Sequence, residues 1–323
     1  MIKHVKMLAA CLSALLLAGC AASPTPAPTT TRYHVAMIAK STSTEFWSAV
    51  FAGAEAAATE YNMDLTITGP ESEEDYAAQN DLIEKAVEDG AQAIIFSASD
   101  YQQNAAAIDA AADKGVHIVV VDSAVDSTKV AAYIGADNYG AGQMAAKSAL
   151  KNVEGPLHVG LVSYNVNSPN AQEREKGVVD TLTDSGRAEV DATVYSVATP
   201  ESARAETLTM LARHPEINVL ISFNEAVSVG AAQAVSDLGR AEDLWMVAFD
   251  SNIKTVDALH TGAVDAMVVQ NTYGMGYFSV ENAYKLLAGQ ESDVTRETET
   301  ATRIIDRSNI FALDGQKAVF PFE

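Results

Sequence analysis

The sequence predicts an α/β protein built as two open lobes, each a parallel sheet covered by helices. Three observations lead there. Short apolar segments alternate with amphipathic helical patterns from Tyr33 almost to the end of the 323-residue chain. Runs such as Ile118-Val-Val-Val121 are apolar without strict alternation, as expected of strands covered on both faces. A strand-like piece at Val130 to Ile134, and shorter pieces at Ala301 to Ile305 and Ile310 to Leu313, interrupt the simple cycle and fit connections crossing between lobes. A closed barrel of eight strand–helix units is the alternative that the cycle count alone leaves open.

The cycle opens with a strand at Tyr33 to Ala39 and a helix at Glu45 to Tyr61. It repeats as Leu65 to Thr68 with Tyr76 to Asp89, Ala93 to Phe96 with Tyr101 to Lys114, and Val116 to Val121 with Asn138 to Leu150. After Pro156 come Leu157 to Val162 with Ala171 to Thr183, and Val190 to Val197 with Pro200 to Arg213. The last repeats are Val219 to Phe223 with Glu225 to Leu238, Leu244 to Phe249 with Asn252 to His260, and Ala263 to Val269 with Tyr273 to Leu287. Thr44 and Asn138 suit helix caps, Pro200 suits a first helical position, and Gly90, Gly115, Gly186 and Gly239 supply permissive backbone at helix exits.

The first residues stand apart from this cycle. Lys3 and Lys6 precede an apolar run from Met7 to Ala18, the pattern of an export leader over residues 1–19. The run ends Leu17-Ala18-Gly19-Cys20, which resembles the lipobox of bacterial lipoproteins. That resemblance implies lipidation of Cys20 and an exported, lipid-anchored protein at the outer face of the cytoplasmic membrane or in the periplasm. Residues 20–31, with Pro24, Pro26 and Pro28, read as a flexible tether. With 21 basic and 43 acidic residues the chain carries −22, and loss of Lys3 and Lys6 with the leader makes it −24. Such a surface repels phosphates, which argues against a nucleic-acid partner. Cys11 and Cys20 are its only cysteines, so the mature body has no disulfide to form.

In open parallel sheets, ligands bind beyond the carboxyl ends of the strands. Four apolar runs finish there on a hydrogen-bonding side chain: Asp122, Asn224, Asp250 and Gln270. Carboxylates accept from hydroxyls and amides both donate and accept, so this set suits a sugar or other polyol. An Asp or Asn after a strand, taken singly, is more often a turn or helix cap. Phe46 and Trp47 open the first helix, where a ring face can cover the C–H surface of a sugar while the carboxylates take its hydroxyl edges.

Together these residues resemble the ribose- and galactose-type periplasmic binding proteins, the substrate-binding components of ABC importers. The resemblance spans nearly all of Tyr33 to Leu313. It implies the type I periplasmic binding protein fold, two open parallel-sheet lobes joined by a three-segment hinge. The first lobe would take residues 32–136 and 271–302, and the second 137–270 and 303–323. It further implies ligand contacts from Thr44, Phe46, Trp47, Asp122 and its neighbour Ser123, Gln172, Arg174, Asn224, Asp250 and Gln270, with a second-lobe aromatic near Tyr195. Ser123 and Gln172 stand where ribose binders carry arginine, so ribose itself is doubtful and another pentose, a hexose, an inositol or a furanosyl signalling molecule stays open. A membrane ABC permease is the implied partner of a monomeric protein that needs no cofactor or metal.

Two other classes remain. A sensory protein would use the same closure to contact a receptor. A sugar hydrolase or isomerase would use Asp122 and Asp250 as acid and base, but His117 lies inside a strand pattern, His158 and His214 are isolated, and the pairs Gly140/Gly142 and Gly274/Gly276 lack the spacing and lysine of a phosphate loop.

Overall fold

The computed structural model describes residues 32–320, so the expected leader, Cys20 and tether lie outside the described residues. Among the described residues, twelve strands divide between two sheets. The first contains β1 (His34–Ile38), β2 (Asp64–Thr68), β3 (Ala93–Phe96), β4 (His117–Val121), β5 (Ala132–Gly135) and β11 (Glu297–Glu299), in the order β11-β5-β4-β3-β1-β2. The second contains β6 (Leu157–Ser163), β7 (Ala188–Tyr195), β8 (Val219–Ser222), β9 (Trp245–Phe249), β10 (Ala266–Gln270) and β12 (Thr302–Asp306), in the order β12-β10-β9-β8-β6-β7. The strand pairs are parallel except β10 with β12. Two open sheets exclude the closed barrel. The orders also superimpose, so each strand of the first sheet has a counterpart in the second, β4 matching β9.

The helices are α1 (Glu45–Glu60), α2 (Tyr76–Glu88), α3 (Ala105–Asp113), α4 (Asn138–Asn152), α5 (Pro169–Ser185), α6 (Pro200–Arg213), α7 (Glu225–Asp237), α8 (Ile253–Thr261), α9 (Thr272–Leu287) and α10 (Leu313–Val319). Helices lie on both faces of the first sheet. Val35, Met37 and Ala39 enter one apolar cluster with α1 and α9, while Ala36 and Ile38 enter another with α2 and α3. Ile118, Val119, Val120 and Val121 divide between the same two clusters, which is why their segment reads as apolar throughout.

The chain passes from the first sheet to the second between β5 and β6, and β10 of the second leads into α9, which packs against α1. Between β11 and β12 it crosses once more. The glycine pairs with no phosphate-loop spacing have a packing role instead. A Cβ on Gly276 would lie 1.8 Å from Val50 O of α1, and one on Gly142 would lie 2.1 Å from Arg174 O of α5. These close helix crossings hold the openings of α1 and α5, where candidate ligand contacts sit.

Several sequence expectations meet the coordinates directly. Gly90, Gly115, Gly186 and Gly239 all take positive φ, Thr44 caps α1, and Pro200 starts α6. The cap of α4 is Asp137 rather than Asn138, its carboxylate accepting from Gly140 N at 2.8 Å. No strand forms at Ile310 to Leu313; a turn there leads into α10.

Candidate ligand-binding site

The carboxyl ends of both sheets face one cleft. Its first wall consists of Lys40 just beyond β1, Thr44, Phe46 and Trp47 at the start of α1, Glu73 before α2, and Asp122 after β4. The opposite wall carries Tyr164 after β6, Asn170 and Arg174 on α5, Asn224 and Glu225 at the start of α7, Asp250 after β9, and Gln270 at the end of β10. About 20 Å³ of free space lies between them, enough for roughly one water. A groove of about 830 Å³ on the outer side of α7, α8 and α10 is far larger, but none of the polar strand-end residues reach it.

Asp122 and Asp250 occupy equivalent strand ends and share an uncommon backbone, with φ of 62° and 66°. Aspartate tolerates this left-handed conformation better than most residues. In each case the turn returns the Asp N–H to a neighbouring strand, Asp122 to Ile134 O and Asp250 to Val268 O, both at 2.9 Å. The carboxylates are thereby turned off the ends of the strands into the cleft.

Their partners differ. Asp122 is ion-paired with the buried Lys40 at 3.1 Å and accepts from Ser97, Ser123 and Asn170. Burial works to lower the Lys40 pKa, but the charge of Asp122, with contributions from Tyr164 and Glu73, holds it well above the usual lysine range. Asp250 accepts one hydrogen bond from Gln270 Nε2, at 2.7 Å. Burial pushes its pKa up to about 6, against the pull of Arg174 and that hydrogen bond.

Arg174 is buried. It donates to Asn138 Oδ1 and Phe223 O and stacks 4.8 Å from the Phe249 ring. Trp47 is also fully buried, with its ring edge to Phe46 and its Nε1 donating to Glu73 at 3.2 Å. Phe46 is the more accessible ring of the pair.

Bonds also cross directly from wall to wall. Asn170 Nδ2 donates to Asp122 at 2.9 Å, and Asn165 Nδ2 donates to Ser99 O at 3.0 Å. Glu225 accepts from Phe46 N at 2.7 Å and Glu45 N at 3.2 Å, so a carboxylate of the second wall caps α1 of the first. Glu45 answers by accepting from Ile253 N at the start of α8. Burial, reinforced by the charge of Asp250, raises the Glu225 pKa to about 7 against the two backbone bonds.

Eight of the ten predicted contact residues line this cleft: Thr44, Phe46, Trp47, Asp122, Arg174, Asn224, Asp250 and Gln270. The other two do not. Ser123 lies behind Asp122, where its hydroxyl donates to that carboxylate and accepts from Lys40 Nζ. Gln172 is exposed, and its amide donates to Val166 O. The inward positions of α5 are Asn170 and Arg174, one helical turn apart, which leaves Gln172 on another face. Tyr195 is exposed as well and donates to Glu175; the second-wall aromatic is Tyr164. Lys40, Glu73, Asn170 and Glu225 also went unpredicted. Lys40 had the same signal as Asp122, a polar residue directly after an apolar strand, whereas Glu73 was hidden in the acidic run from Glu71 to Asp75.

With this geometry in place, the relatives are informative. Residues 35–291 match the family described as "Periplasmic binding protein domain". The chain belongs to that family. The likeness to its ribose- and galactose-type members read from the sequence is borne out. A sugar transporter from Clostridium phytofermentans is 30% identical, with a TM-score of 0.78 over 85% of this chain and 100% of that one. An ABC transporter solute binding protein from Agrobacterium vitis, with bound D-fucose, is 25% identical, with a TM-score of 0.85 over 89% of this chain and 100% of that one. Among curated proteins, the D-ribose/D-allose-binding protein of Pseudomonas aeruginosa is 29% identical over 135 residues, a match spanning 42% of each chain.

Proposed function

We propose that the protein is an exported, lipid-anchored solute-binding protein that captures a monosaccharide or related polyol and delivers it to an ABC importer without altering it. The observation that carries this reading is the meeting, in one cleft, of acceptor and donor side chains from the ends of both sheets, with Phe46 and Tyr164 beside them. A polyol placed between Asp122 and Asp250 satisfies carboxylates from both walls, and the rings offset the loss of water around its carbon skeleton. The described relatives of similar fold bind sugars, which supports the same ligand class.

The walls already touch through Asn170–Asp122 and Glu225–Phe46, so admitting a ring requires the lobes to part. Binding energy then shifts a population of open and closed forms, and the closed exterior is what a permease would read. The three crossings near residues 136, 271 and 300 are the proposed hinge, and Cys20 the proposed anchor.

A thermal-shift screen of monosaccharides and inositols, followed by calorimetry, tests this. A ligand present at 100 times its Kd raises stability by about 2.7 kcal/mol. Asp122→Ala, Asn224→Ala and Asp250→Ala should each weaken the strongest hit at least about tenfold, a loss of about 1.4 kcal/mol. Full affinity in all three variants overturns the assigned site.

A further inference from the structure

The balance of charge in the cleft points to more than a neutral sugar. Four carboxyl groups line it, Glu73, Asp122, Glu225 and Asp250, against two cations, Lys40 and Arg174. Lys40 is committed to Asp122. Arg174 spends two of its donors on Asn138 Oδ1 and Phe223 O, and forms no ion pair within 4 Å among the described residues. Glu73 accepts from Trp47 Nε1 and Asn224 Nδ2, and Glu225 from two backbone N–H groups, whereas Asp250 has the Gln270 amide alone; none of the three is ion-paired within 4 Å among the described residues.

A second observation identifies what is missing. Gln270 is 4% exposed, and its Nε2 is fixed by the 2.7 Å bond to Asp250, which orients the amide. Its Oε1 is left buried with no hydrogen-bond partner among the described residues. A buried acceptor without a donor is costly, as is a buried carboxylate without a counter-charge. This corner holds acceptors that its own donors do not satisfy. A hydroxyl brings one proton to it and no charge; an ammonium brings three protons and the charge as well.

We infer that the cleft selects a cationic polyol, one bearing a protonated amine that seats against Asp250 and Gln270 with Glu73 and Glu225 nearby. This rests on the polyol-binding reading above and narrows it. Burial is what raises Asp250 and Glu225, with Arg174 offsetting only part of it at Asp250, and an ammonium beside them would oppose that rise.

Calorimetry at about neutral pH with D-glucose, D-galactose and D-mannose, each against its 2-amino-2-deoxy and N-acetylated forms, tests the inference. At least one amino sugar should bind about tenfold or more tighter than its parent, and acetylation, which removes the charge, should abolish that advantage. Asp250→Asn and Glu73→Gln should each bring the ratio of amine to parent affinity toward one. Parent sugars that bind as tightly as their amines overturn the inference and leave the polyol reading standing. Failure of every member of all three series to bind overturns the inference, and the polyol reading is then decided by the pentoses and inositols of the thermal-shift screen.

Discussion

The two strand ends that carry Asp122 and Asp250 are copies in backbone and opposites in chemistry. Both residues sit at positive φ, both return their N–H to the adjacent strand, and both are buried. Asp122 has a lysine, two serines and an asparagine around it. Asp250 has one glutamine amide, and its pKa rises to about 6. The first lobe thus presents a charge that is already compensated, and the second an acid that needs a ligand or a proton. Duplicated topology fixes where a carboxylate points, while neighbours from other strands decide what it can do.

The difference is broken most severely at Lys40. Lys40→Met leaves Asp122 buried with no cation, and losing one partner of a buried pair costs about 3–5 kcal/mol. Urea denaturation should show a fall of that size in unfolding free energy. Lys40→Met combined with Asp122→Asn should recover much of it, because the amide suits the same backbone and carries no charge. A loss under about 1 kcal/mol in the single variant would mean that Ser97, Ser123 and Asn170 suffice to hold the carboxylate.

The second lobe should make stability depend on pH. Asp250 and Glu225 stand at about 6 and 7 in the folded protein, above ordinary values of 3.8 and 4.5. The folded state then binds protons more tightly than the unfolded chain between about pH 7 and pH 4, so stability rises as pH falls through that window. For the fully buried Asp250 the gain is about 3 kcal/mol at most. Asp250→Asn should be more stable than the parent at about pH 8 and should flatten the lower part of the profile, while weakening ligand binding. A parent profile that falls steadily from pH 7 to pH 5 contradicts this, and would place the dominant carboxylates elsewhere.

What could be read in the sequence follows the same division. The strands are apolar because two helix layers cover them, so β1, β3 and β4 are legible without any partner in view. Asp122, Asn224, Asp250 and Gln270 are legible by position, since a parallel sheet always turns its carboxyl ends toward one side. Residues whose role depends on the other wall are not. Glu225 reads as an ordinary acid in a first helical turn, yet it caps a helix from the opposite lobe. Helix α5 follows a polar loop that leaves its rotation open, and an error of two residues exchanged exposed Gln172 for buried Asn170. Ser123, standing where an arginine was expected, gave no sign that Lys40, 83 residues earlier, would supply the charge.

The smallest effect concerns the reciprocal caps that join the walls. Glu225 accepts from the first two N–H groups of α1, and Glu45 accepts from Ile253 N of α8. Each places a carboxylate at a helix start, a contribution of about 1 kcal/mol, and each exists only while the lobes are together. Glu225→Ala and Glu45→Ala should therefore shift closure, read as a larger radius of gyration in solution scattering at sub-saturating ligand. Because both caps release on the same opening, the double variant should open more than either single one. Closure buries Glu225 and raises its pKa, so closing takes up a proton and mild acidification should favour the compact form in the parent but not in Glu225→Ala. Equal compaction of parent and variant on acidification would assign that response to Asp250 and leave the caps as static contacts.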